Sequence, residues 1–442
     1  MSRLFHAQRA MRRKRQAALQ RGVVAILDVG TYKTACLVLR FEENTPQGEG
    51  VGHMAGQSNF RVIGATTTRS RGIRHGEVDA MPETERAIRT AVQGAQKMAN
   101  VRVDHVIACF SGGRPTSWPL AGEVMLESGP CGVHDVARVL SSIDTPDIGP
   151  GREVLHAQPV NFGIDHRTTL RDPRGQTGEM LRADMHLLSV DAHAIENLLT
   201  CIHRCDLELA GLASAPYAAA TSALVEDEKE LGAACIDMGA GTTGISIFMR
   251  KHMVFADTIP FGGANVTSDI SQGLRIPTGT AEMIKTRYGG VVATGMDDRE
   301  LIALEADTGD WHHDRRSVTR TELIGIMRPR VEEILEDARA RLDAAGFGDL
   351  PSQRIVLTGG ASQIPGLDGL AARILGNQVR LGRPLRVHGL PEAAKGPAFA
   401  ACVGLCMQGA EPQDEFWDFD ATSERTSGRS LRRAVRWFKD NW

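Results

Sequence analysis

Cysteine is scarce in this sequence and does not follow the pattern of a disulfide framework. The 442 residues include eight cysteines, and no two of them have C-x-x-C spacing. Cys36 and Cys235 lie within apolar strand patterns, where buried free thiols are common. This usage favours a reducing compartment over an oxidising one.

Long apolar runs are also missing. No segment reaches the ~18 continuous apolar residues that indicate a membrane-spanning helix, and the basic N-terminus lacks the apolar core of a signal peptide. We therefore expect the chain to stay in the cytoplasm. The formal net charge is only −3 at pH 7, which argues against a body built to bind polyanions, so we expect no nucleic acid partner.

Two kinds of chemical site lack the residues they need. Cys201, His203 and Cys205 come nearest to a metal cluster. On a helix, however, Cys201 and Cys205 share a face while His203 points away, so the three ligands do not converge. Ser111 has no G-x-S-x-G pattern around it, which argues against a nucleophilic serine.

The sequence does contain a glycine-rich turn between two apolar strands. Residues 234–248 read as strand, turn and strand, with Asp237 at the end of the first strand. Glycines at positions 239, 241 and 244 let backbone N–H groups approach an anion closely. Thr242 and Thr243 add hydroxyl donors, and Asp237 could hold a metal-bound water. Such a turn is more often only a turn, so this stretch alone leaves a purely structural role open.

The same arrangement recurs near the N-terminus. Residues 24–39 repeat the order of apolar strand, Asp28, glycine, threonine and second apolar strand. Two such hairpins imply two similar half-domains, each offering an aspartate and a glycine turn to one ligand. A third turn, at Gly359 and Gly360, follows an apolar strand and leads into a helix.

The two ends of the chain differ from its middle. Residues 1–22 are basic and contain no acidic residue. Because charge runs repel themselves and stay solvated, we expect a solvated tail here rather than an interaction arm. Residues 409–428 are acidic, bear Ser and Thr and lack periodicity, as a flexible linker would.

Residues 429–442 predict an amphipathic helix at a membrane surface. Apolar residues at 431, 435, 438 and 442 share one helical face, with cations beside or opposite it. Each apolar side chain that is buried contributes ~1.5–3 kcal/mol, and each cation near anionic lipid contributes ~1 kcal/mol of electrostatic attraction. Together these contributions exceed the entropy cost of ordering so short a helix. A partner-docking helix is the alternative, but the terminal position, the tryptophans and the basic face favour lipid. The residues expected at the lipid are Leu431, Arg432, Arg433, Val435, Arg436, Trp437, Phe438, Lys439 and Trp442.

Together these motifs resemble the FtsA family, within the actin, hsp70 and sugar-kinase superfamily. A first phosphate motif at Asp28, a second at Asp237 and an adenosine motif at Gly359 and Gly360 follow the order of that superfamily. The stretches that resemble the FtsA family in particular are 211–214, 230–239, 263–270, 281–290 and the basic C-terminal helix. The resemblance covers residues 23–442.

The resemblance implies an α/β fold of the actin-like ATPase type. Two related halves, 1A and 2A, would enclose a nucleotide cleft, and subdomains 1C and 2B would be inserted into them. The basic extension 1–22 would come first. Subdomain 1A would comprise residues 23–107, 187–231 and the C-terminal connecting helix 389–408, and subdomain 1C would comprise residues 108–186. Subdomain 2A would comprise residues 232–265 and 319–388, and subdomain 2B residues 266–318. The linker 409–428 and the helix 429–442 would follow.

The resemblance also implies ATP with Mg²⁺ in the cleft. Asp28 and Asp237 would surround the Mg²⁺ waters. For Glu282 and Lys285, one helical turn apart, a solvent-side ion pair is the alternative to nucleoside contact. The residues expected at the phosphates are Gly30, Thr31, Lys33, Gly239, Gly241, Thr242 and Thr243, and those expected at the nucleoside are Glu282, Lys285, Gly359, Gly360 and Ser362.

The implied function is that of a cell division adaptor at the cytoplasmic face of the bacterial inner membrane, at the septum. Its implied partners are the C-terminal tail of FtsZ on subdomain 2B, further copies of itself in filaments formed through 1C, anionic lipid and later division proteins. It would be a peripheral membrane protein that tethers the FtsZ ring.

The sequence departs from its relatives at one mechanistic position. Hsp70-like and MreB-like proteins place a Glu before a Pro to orient the attacking water, whereas this chain has Ala215 and Pro216. We therefore expect tight nucleotide binding with slow hydrolysis. Two alternatives stay open: an active ATPase or sugar kinase of the same fold, and a PilM-type pilus adaptor, which should lack the amphipathic C-terminus. The long basic N-terminus is atypical of the family.

Overall fold

The computed structural model describes residues 3–41, 60–126, 129–304, 317–350, 352–376, 378–384, 387–411 and 415. The predicted lipid-binding residues 429–442 lie outside this range, as does most of the predicted linker. Among the described residues, no helix combines the length and apolar character needed to cross a bilayer.

The described residues alternate between strands and helices along most of the chain. The helices are α1 (Arg3–Gln20), α2 (Met81–Ala99), α3 (Val133–Ser142), α4 (Ala192–His203), α5 (Ala215–Ala223), α6 (Glu226–Leu231), α7 (Gly263–Leu274), α8 (Thr278–Tyr288), α9 (Arg320–Ala344), α10 (Leu367–Leu375) and α11 (Ala400–Ala410). The strands are β1 (Val23–Val29), β2 (Lys33–Phe41), β3 (Phe60–Arg69), β4 (Ile73–Arg74), β5 (Glu77–Val78), β6 (His105–Phe110), β7 (Thr116–Met125), β8 (Arg152–Ile164), β9 (Arg167–Leu170), β10 (Met180–Asp191), β11 (Glu208–Ser214), β12 (Ala233–Met238), β13 (Thr243–Met249), β14 (His252–Ile259), β15 (Leu301–Ala303), β16 (Ser317–Thr319), β17 (Arg354–Thr358) and β18 (Val379–Leu381).

Two five-stranded sheets with the same topology form the framework. The first has the order β11-β6-β1-β2-β3 and the second β18-β17-β12-β13-β14. In each sheet the first three strands run parallel and the last two are added as antiparallel hairpins. The β1–β2 and β12–β13 hairpins therefore occupy equivalent places, which confirms the two related halves predicted from the repeated glycine turns.

Two helices made of small residues pack against each other between the halves. Ala218, Ala219 and Ala220 of α5 are fully buried. At Gly404 of α11 a Cβ would lie 1.7 Å from the carbonyl oxygen of Ala218, so only glycine permits this approach. These small residues thus set the spacing between α5 and α11.

The inserted subdomain after β6 has a sheet and a core of its own. Its strands have the order β7-β10-β8-β9, and α3 packs against β7 and β10. Val136, Leu140, Ile164 and Leu181 belong to one buried cluster separate from those of the two large sheets. A second insertion after β14 contains α7, α8 and the short β15–β16 ladder, and α9 leads back into the second half.

The N-terminal extension forms the helix α1, which is docked on the body. Met11 is 7% exposed and Ala18 1% exposed. The side chain of Gln8 donates to the carbonyl oxygens of Leu155, at 3.1 Å, and Leu212, at 3.3 Å. The expectation of a solvated tail is therefore wrong. The buried side of α1 consists of alanine, methionine and glutamine, which the surrounding charges conceal in the sequence.

The last described helix continues into the segment predicted as linker. Helix α11 ends at Ala410, two residues beyond the predicted end of the connecting helix at 408. Five residues later, Glu415 is in contact with the inserted subdomain through its carboxylate. The predicted body therefore extends further than its composition suggested.

Candidate functional site

Two equivalent glycine turns close the β1–β2 and β12–β13 hairpins. The N–H of Gly30 donates to the carbonyl of Lys33 at 3.0 Å, and the N–H of Gly239 donates to the carbonyl of Thr242 at 2.9 Å. Each turn thus spans four residues, and each follows an aspartate by two positions. Because the spacing from aspartate to glycine and the hydrogen bond that closes the turn are the same in both hairpins, the two halves present the same chemical groups.

The two turns meet across the gap between the halves. A Cβ at Gly241 would lie 2.3 Å from Thr31 Oγ1 and 2.9 Å from Thr31 Cβ. Only a residue without a side chain allows the turns to come this close, since real Cβ contacts are longer. The structure therefore brings the predicted phosphate residues of both turns to one place.

The aspartates before the turns influence each other electrostatically. Burial and, to a smaller extent, repulsion from Asp28 raise the pKa of Asp237 to about 7, although attraction to Lys33 opposes the shift. Asp28 in turn accepts a hydrogen bond from the thiol of Cys109 at 3.2 Å. Two carboxylates and one ammonium group thus act on one another in the cleft. A bound cation would favour the charged form of Asp237.

The third glycine turn lies against the second hairpin. Gly359 has φ +88°, and a Cβ there would lie 2.4 Å from Asp237 Oδ1. Ser362 is buried, and its hydroxyl donates to the carbonyl of Gly359 at 2.8 Å, so it fixes the turn rather than facing the cleft. Thr358, beside Asp237 in the sheet, is fully buried, and its hydroxyl has no hydrogen-bond partner among the described residues.

Helix α7 begins directly on the second phosphate turn. The N–H groups of Gly263 and Ala264 donate to the carbonyls of Gly239, at 2.9 Å, and Ala240, at 2.8 Å. These bonds satisfy two of the four N–H groups that a helix start leaves free. A movement of the turn would therefore be passed on to α7 and the insertion that it opens.

The predicted pair Glu282 and Lys285 forms a half-buried cluster with α7. Lys285 Nζ lies 2.7 Å from Glu282 Oε2, 2.8 Å from Thr267 Oγ1 and 3.0 Å from the carbonyl oxygen of Gly263. Thr267 also donates to Glu282. The pair is thus more than a solvent-side ion pair, because it fixes α8 against the start of α7.

Lys33 lies between the first turn and the loop before α11. Its ammonium group donates to the carbonyl oxygen of Ala398 and lies 3.5 Å from the ring centroid of Phe399, a cation–π geometry. Neither partner is predictable from the sequence around Lys33, because both are more than 360 residues away. This contact holds the loop before α11 close to the first turn.

Not every predicted site residue faces the gap. Thr243 is fully buried, and its hydroxyl donates to the carbonyl of Phe261 at 2.9 Å. Its side chain therefore serves the hairpin rather than a ligand, as that of Ser362 serves the third turn. Gly360 is exposed, and Thr242 is 9% exposed at the edge of the second turn.

No carboxylate stands at the start of α5. Ala215 is 6% exposed, and Pro216 lies against β13, where a Cβ at Gly244 would be 2.5 Å from its Cγ. Ser246 also donates to the carbonyl of Pro216 at 3.1 Å. The start of α5 is therefore packed tightly against the second phosphate hairpin.

The donor set near the cleft suits a cation held through few protein ligands. Within the part of the chain that the structure describes, no three His, Cys, Asp or Glu side chains are arranged to hold a metal ion. Mg²⁺ is usually bound by one or two carboxylates together with substrate phosphates and water. The paired aspartates, the two glycine turns and the orphaned hydroxyl of Thr358 fit a nucleotide with Mg²⁺.

Two family models match separate ranges of the chain. A family model described as "Cell division protein FtsA" matches residues 234–404, and one described as "SHS2 domain inserted in FTSA" matches residues 112–189. The second range overlaps the insertion predicted at 108–186.

Curated relatives match most of the chain. A protein of Rhizobium meliloti (strain 1021) named "Cell division protein FtsA" is 38% identical over 87% of this chain and 86% of its own length. Proteins of the same name from Pseudomonas aeruginosa and Escherichia coli (strain K12) are 32% and 29% identical over 96% and 89% of this chain, and over 100% and 92% of their own lengths.

A solved structure titled "PilM-PilN type IV pilus biogenesis complex" has a similar fold. It aligns with a TM-score of 0.58 over 88% of this chain and 99% of that chain. The sequence identity is 15%, so the likeness concerns the fold alone. The predicted actin-like architecture is confirmed, and its inserted subdomain after β6 matches the SHS2 model.

Proposed function

Because the chain belongs to the FtsA family of cell division proteins, we propose that it is an ATP-binding adaptor that polymerises and tethers the FtsZ ring to the inner membrane. The pilus-adaptor and kinase alternatives are not retained, since the curated relatives are cell division proteins. The observation that carries the nucleotide part of this proposal is the contact between Gly241 and Thr31, which brings two equivalent anion-binding turns together.

The nucleotide would lie between the two halves. Backbone N–H groups of the turns 30–33 and 239–242 would receive the phosphates, as glycine-rich turns do. The third turn at Gly359 and the cluster of Glu282 and Lys285 would border the nucleoside. Bound Mg²⁺ supplies positive charge that neutralises phosphate oxygens and both aspartates. Because the two turns belong to different halves, occupancy by one ligand would stabilise their closed arrangement.

ATP would act mainly as an assembly ligand. Hydrolysis needs a group that orients and deprotonates the attacking water, and Ala215 at the start of α5 cannot provide one. Pro216 and Ser246 keep this region packed on the second hairpin. Slow turnover would keep the closed state populated for as long as the nucleotide stays bound.

The second insertion offers a surface for an FtsZ tail. Four of its apolar side chains are exposed, Met296 to 71%, Leu301 to 68%, Val292 to 44% and Met283 to 38%. Exposed apolar residues of this kind suit an extended peptide that carries apolar side chains.

Residues 429–442 would supply the membrane contact, and the first insertion would contribute to filament formation. These assignments place the protein at the cytoplasmic face of the inner membrane, at the septum, as a peripheral protein that helps recruit later division proteins. Anionic lipid attracts the cations, and the apolar face inserts at the headgroup boundary.

Co-sedimentation on anionic vesicles tests the adaptor function. Full-length protein and a chain truncated after Gly428 are mixed with Mg-ATP and FtsZ filaments, and the pelleted proteins are quantified. We expect the full-length protein to bring FtsZ down with lipid and the truncated chain to leave FtsZ in the supernatant. Binding of the full-length protein to lipid without FtsZ would refute the partner, and absence of lipid binding would refute the membrane role.

A further inference from the structure

A buried carboxylate ties the segment after α11 to the first insertion. Glu415 Oε1 lies 2.7 Å from His156 Nδ1 and 2.8 Å from Gln158 Nε2, and Glu415 Oε2 accepts the backbone N–H of Ala157 at 2.8 Å. The side chain of Glu415 is only 15% exposed. Three donors from three consecutive residues of β8 therefore converge on one carboxylate.

The side-chain donors are also held by the surrounding structure. His156 is 2% exposed, and its Nε2 accepts the backbone N–H of Ser214 at 2.9 Å. In the neutral ring the proton therefore sits on Nδ1, which points at Glu415. Gln158 is fully buried. A site with fixed donors loses little conformational entropy when it binds an anion, which favours affinity.

Helix α1 carries a buried cation that is influenced by Glu415. The pKa of Arg15 is lowered to about 10, chiefly by burial and by repulsion from Arg12, while attraction to Glu415 opposes the shift. The guanidinium group lies over Gly211 of β11, and the adjacent Lys14 has its Nζ 2.7 Å from Glu208 Oε2 of the same strand. The charge of Arg15 thus favours a carboxylate at the position of Glu415.

We propose that His156, Ala157 and Gln158 of β8 form a carboxylate-binding site in which Glu415 of the chain's own C-terminal segment docks. The occupant is a glutamate carboxylate in cis. Docking fixes Glu415 at the junction of the first insertion with β11 and α5, because His156 also contacts Ser214 and Tyr217.

The consequence for the membrane rests on the proposed function. Residues 416–428 separate the docked glutamate from the predicted lipid-binding helix. A chain of that length spans at most about 45 Å when fully extended. With Glu415 docked, the junction with the first insertion would lie within about that distance of the lipid. An undocked segment would start at the end of α11 and hold the body less closely.

Hydrogen exchange of the Ala157 amide tests the docking directly, in full-length protein without lipid or FtsZ. Its N–H donates to Glu415 rather than to a neighbouring strand. In E415Q we expect this amide to exchange at least tenfold faster, the factor that corresponds to losing one hydrogen bond to a charged group. Glu411→Gln, at the exposed end of α11, is the matched control and should leave the rate unchanged.

Two further variants probe the other partners of the site. Gln158→Met keeps the length of the side chain but removes a donor, and Arg15→Met removes the cation. Both should accelerate exchange of the Ala157 amide in the same direction as E415Q. They also replace E415Q as the decisive test if circular dichroism shows that E415Q does not fold.

Equal exchange rates in E415Q and in Glu411→Gln would overturn the proposal. The test is independent of the proposed function because it contains neither lipid nor FtsZ. Slow exchange at Ala157 in a protein that fails to bind vesicles would keep the docking site and refute the membrane role. Fast exchange at Ala157 in a protein that does bind vesicles would refute the docking site alone.

Discussion

Replacing Asp237 with Asn should stabilise the nucleotide-free protein while it abolishes Mg-ATP binding. The carboxylate lies at the end of β12, close to Asp28 and only partly accessible from the cleft. Burial and repulsion from Asp28 raise its pKa from 3.8 to about 7. An asparagine has the same shape but carries no charge, so it removes the repulsion without creating a cavity.

The sign of the effect follows from proton linkage. In the unfolded chain Asp237 loses its proton near pH 3.8, whereas in the folded protein it keeps the proton up to about pH 7. Between about pH 4 and about pH 7 the unfolded chain is ionised at Asp237 while the folded protein is still protonated there. The free energy of unfolding therefore falls as the pH rises over that interval. Three pKa units correspond to roughly 4 kcal/mol, an upper limit because cleft water screens the charge.

Denaturant unfolding at a series of pH values measures this effect. Near pH 4 the parent and Asp237→Asn should have nearly equal free energies of unfolding. By pH 8 the variant should be more stable by up to roughly 4 kcal/mol. Asp368→Asn, an exposed carboxylate on α10, serves as control and should run parallel to the parent. Taking differences between parent and variant cancels the titration of all other groups.

A variant that is less stable than the parent at pH 8, or a difference that does not depend on pH, would refute this reasoning. Either result would mean that the carboxylate is fully solvated or already paired in the free protein. The expected gain in stability with loss of ligand binding is typical of sites that hold like charges together for function.

Three further results are expected. Gly241→Ala should weaken nucleotide binding and lower the free energy of unfolding by about 1–3 kcal/mol through overpacking, because its Cβ would lie 2.3 Å from Thr31 Oγ1. Gly279 has open space around it, so Gly279→Ala should be neutral in the same thermal-unfolding and binding assays. His186→Leu should raise the denaturation midpoint at pH 7 by removing two buried ring nitrogens without partners among the described residues. The gain should grow towards pH 5, because burial lowers the pKa of this histidine to about 3 and the unfolded chain then binds a proton that the folded protein excludes. The turnover number for steady-state ATP hydrolysis should stay far below about 1 s⁻¹, the lower end of the range typical of enzymes, because Ala215 supplies no base. A turnover number within the enzyme range would contradict the assembly role.

The two phosphate hairpins were predictable because their signals are local. Asp28 and Asp237 each end an apolar strand and precede a glycine turn by two residues, and this short-range pattern determines the hairpin in both halves. The equal topology of the sheets then follows from the repeat. The docking of Gly241 against Thr31 could be anticipated only as a consequence of two halves sharing one ligand.

The misjudged elements depend on contacts between distant residues. Helix α1 was expected to be solvated because its charges dominate its composition, yet Gln8 finds two backbone acceptors more than 140 residues away. Thr243 has the hydroxyl of a phosphate ligand, but the hairpin turns that hydroxyl towards Phe261. Neither outcome has a sequence signal at the residue itself.

The contacts of Lys33 and Glu415 illustrate the same limit. Lys33 was placed at the phosphates because of the family motif, and its partners Ala398 and Phe399 come from the far end of the body. Glu415 lies in an acidic stretch that predicted a linker. Only the fold shows that it meets three donors on β8.

A crystal structure of the full chain with Mg²⁺ and a non-hydrolysable ATP analogue tests the central claim most directly. We predict phosphates between the turns 30–33 and 239–242, with Mg²⁺ on the side of Asp28 and Asp237 and the nucleoside against Gly359. An analogue bound elsewhere, or a cleft that stays empty at saturating analogue concentration, would contradict the nucleotide-dependent adaptor.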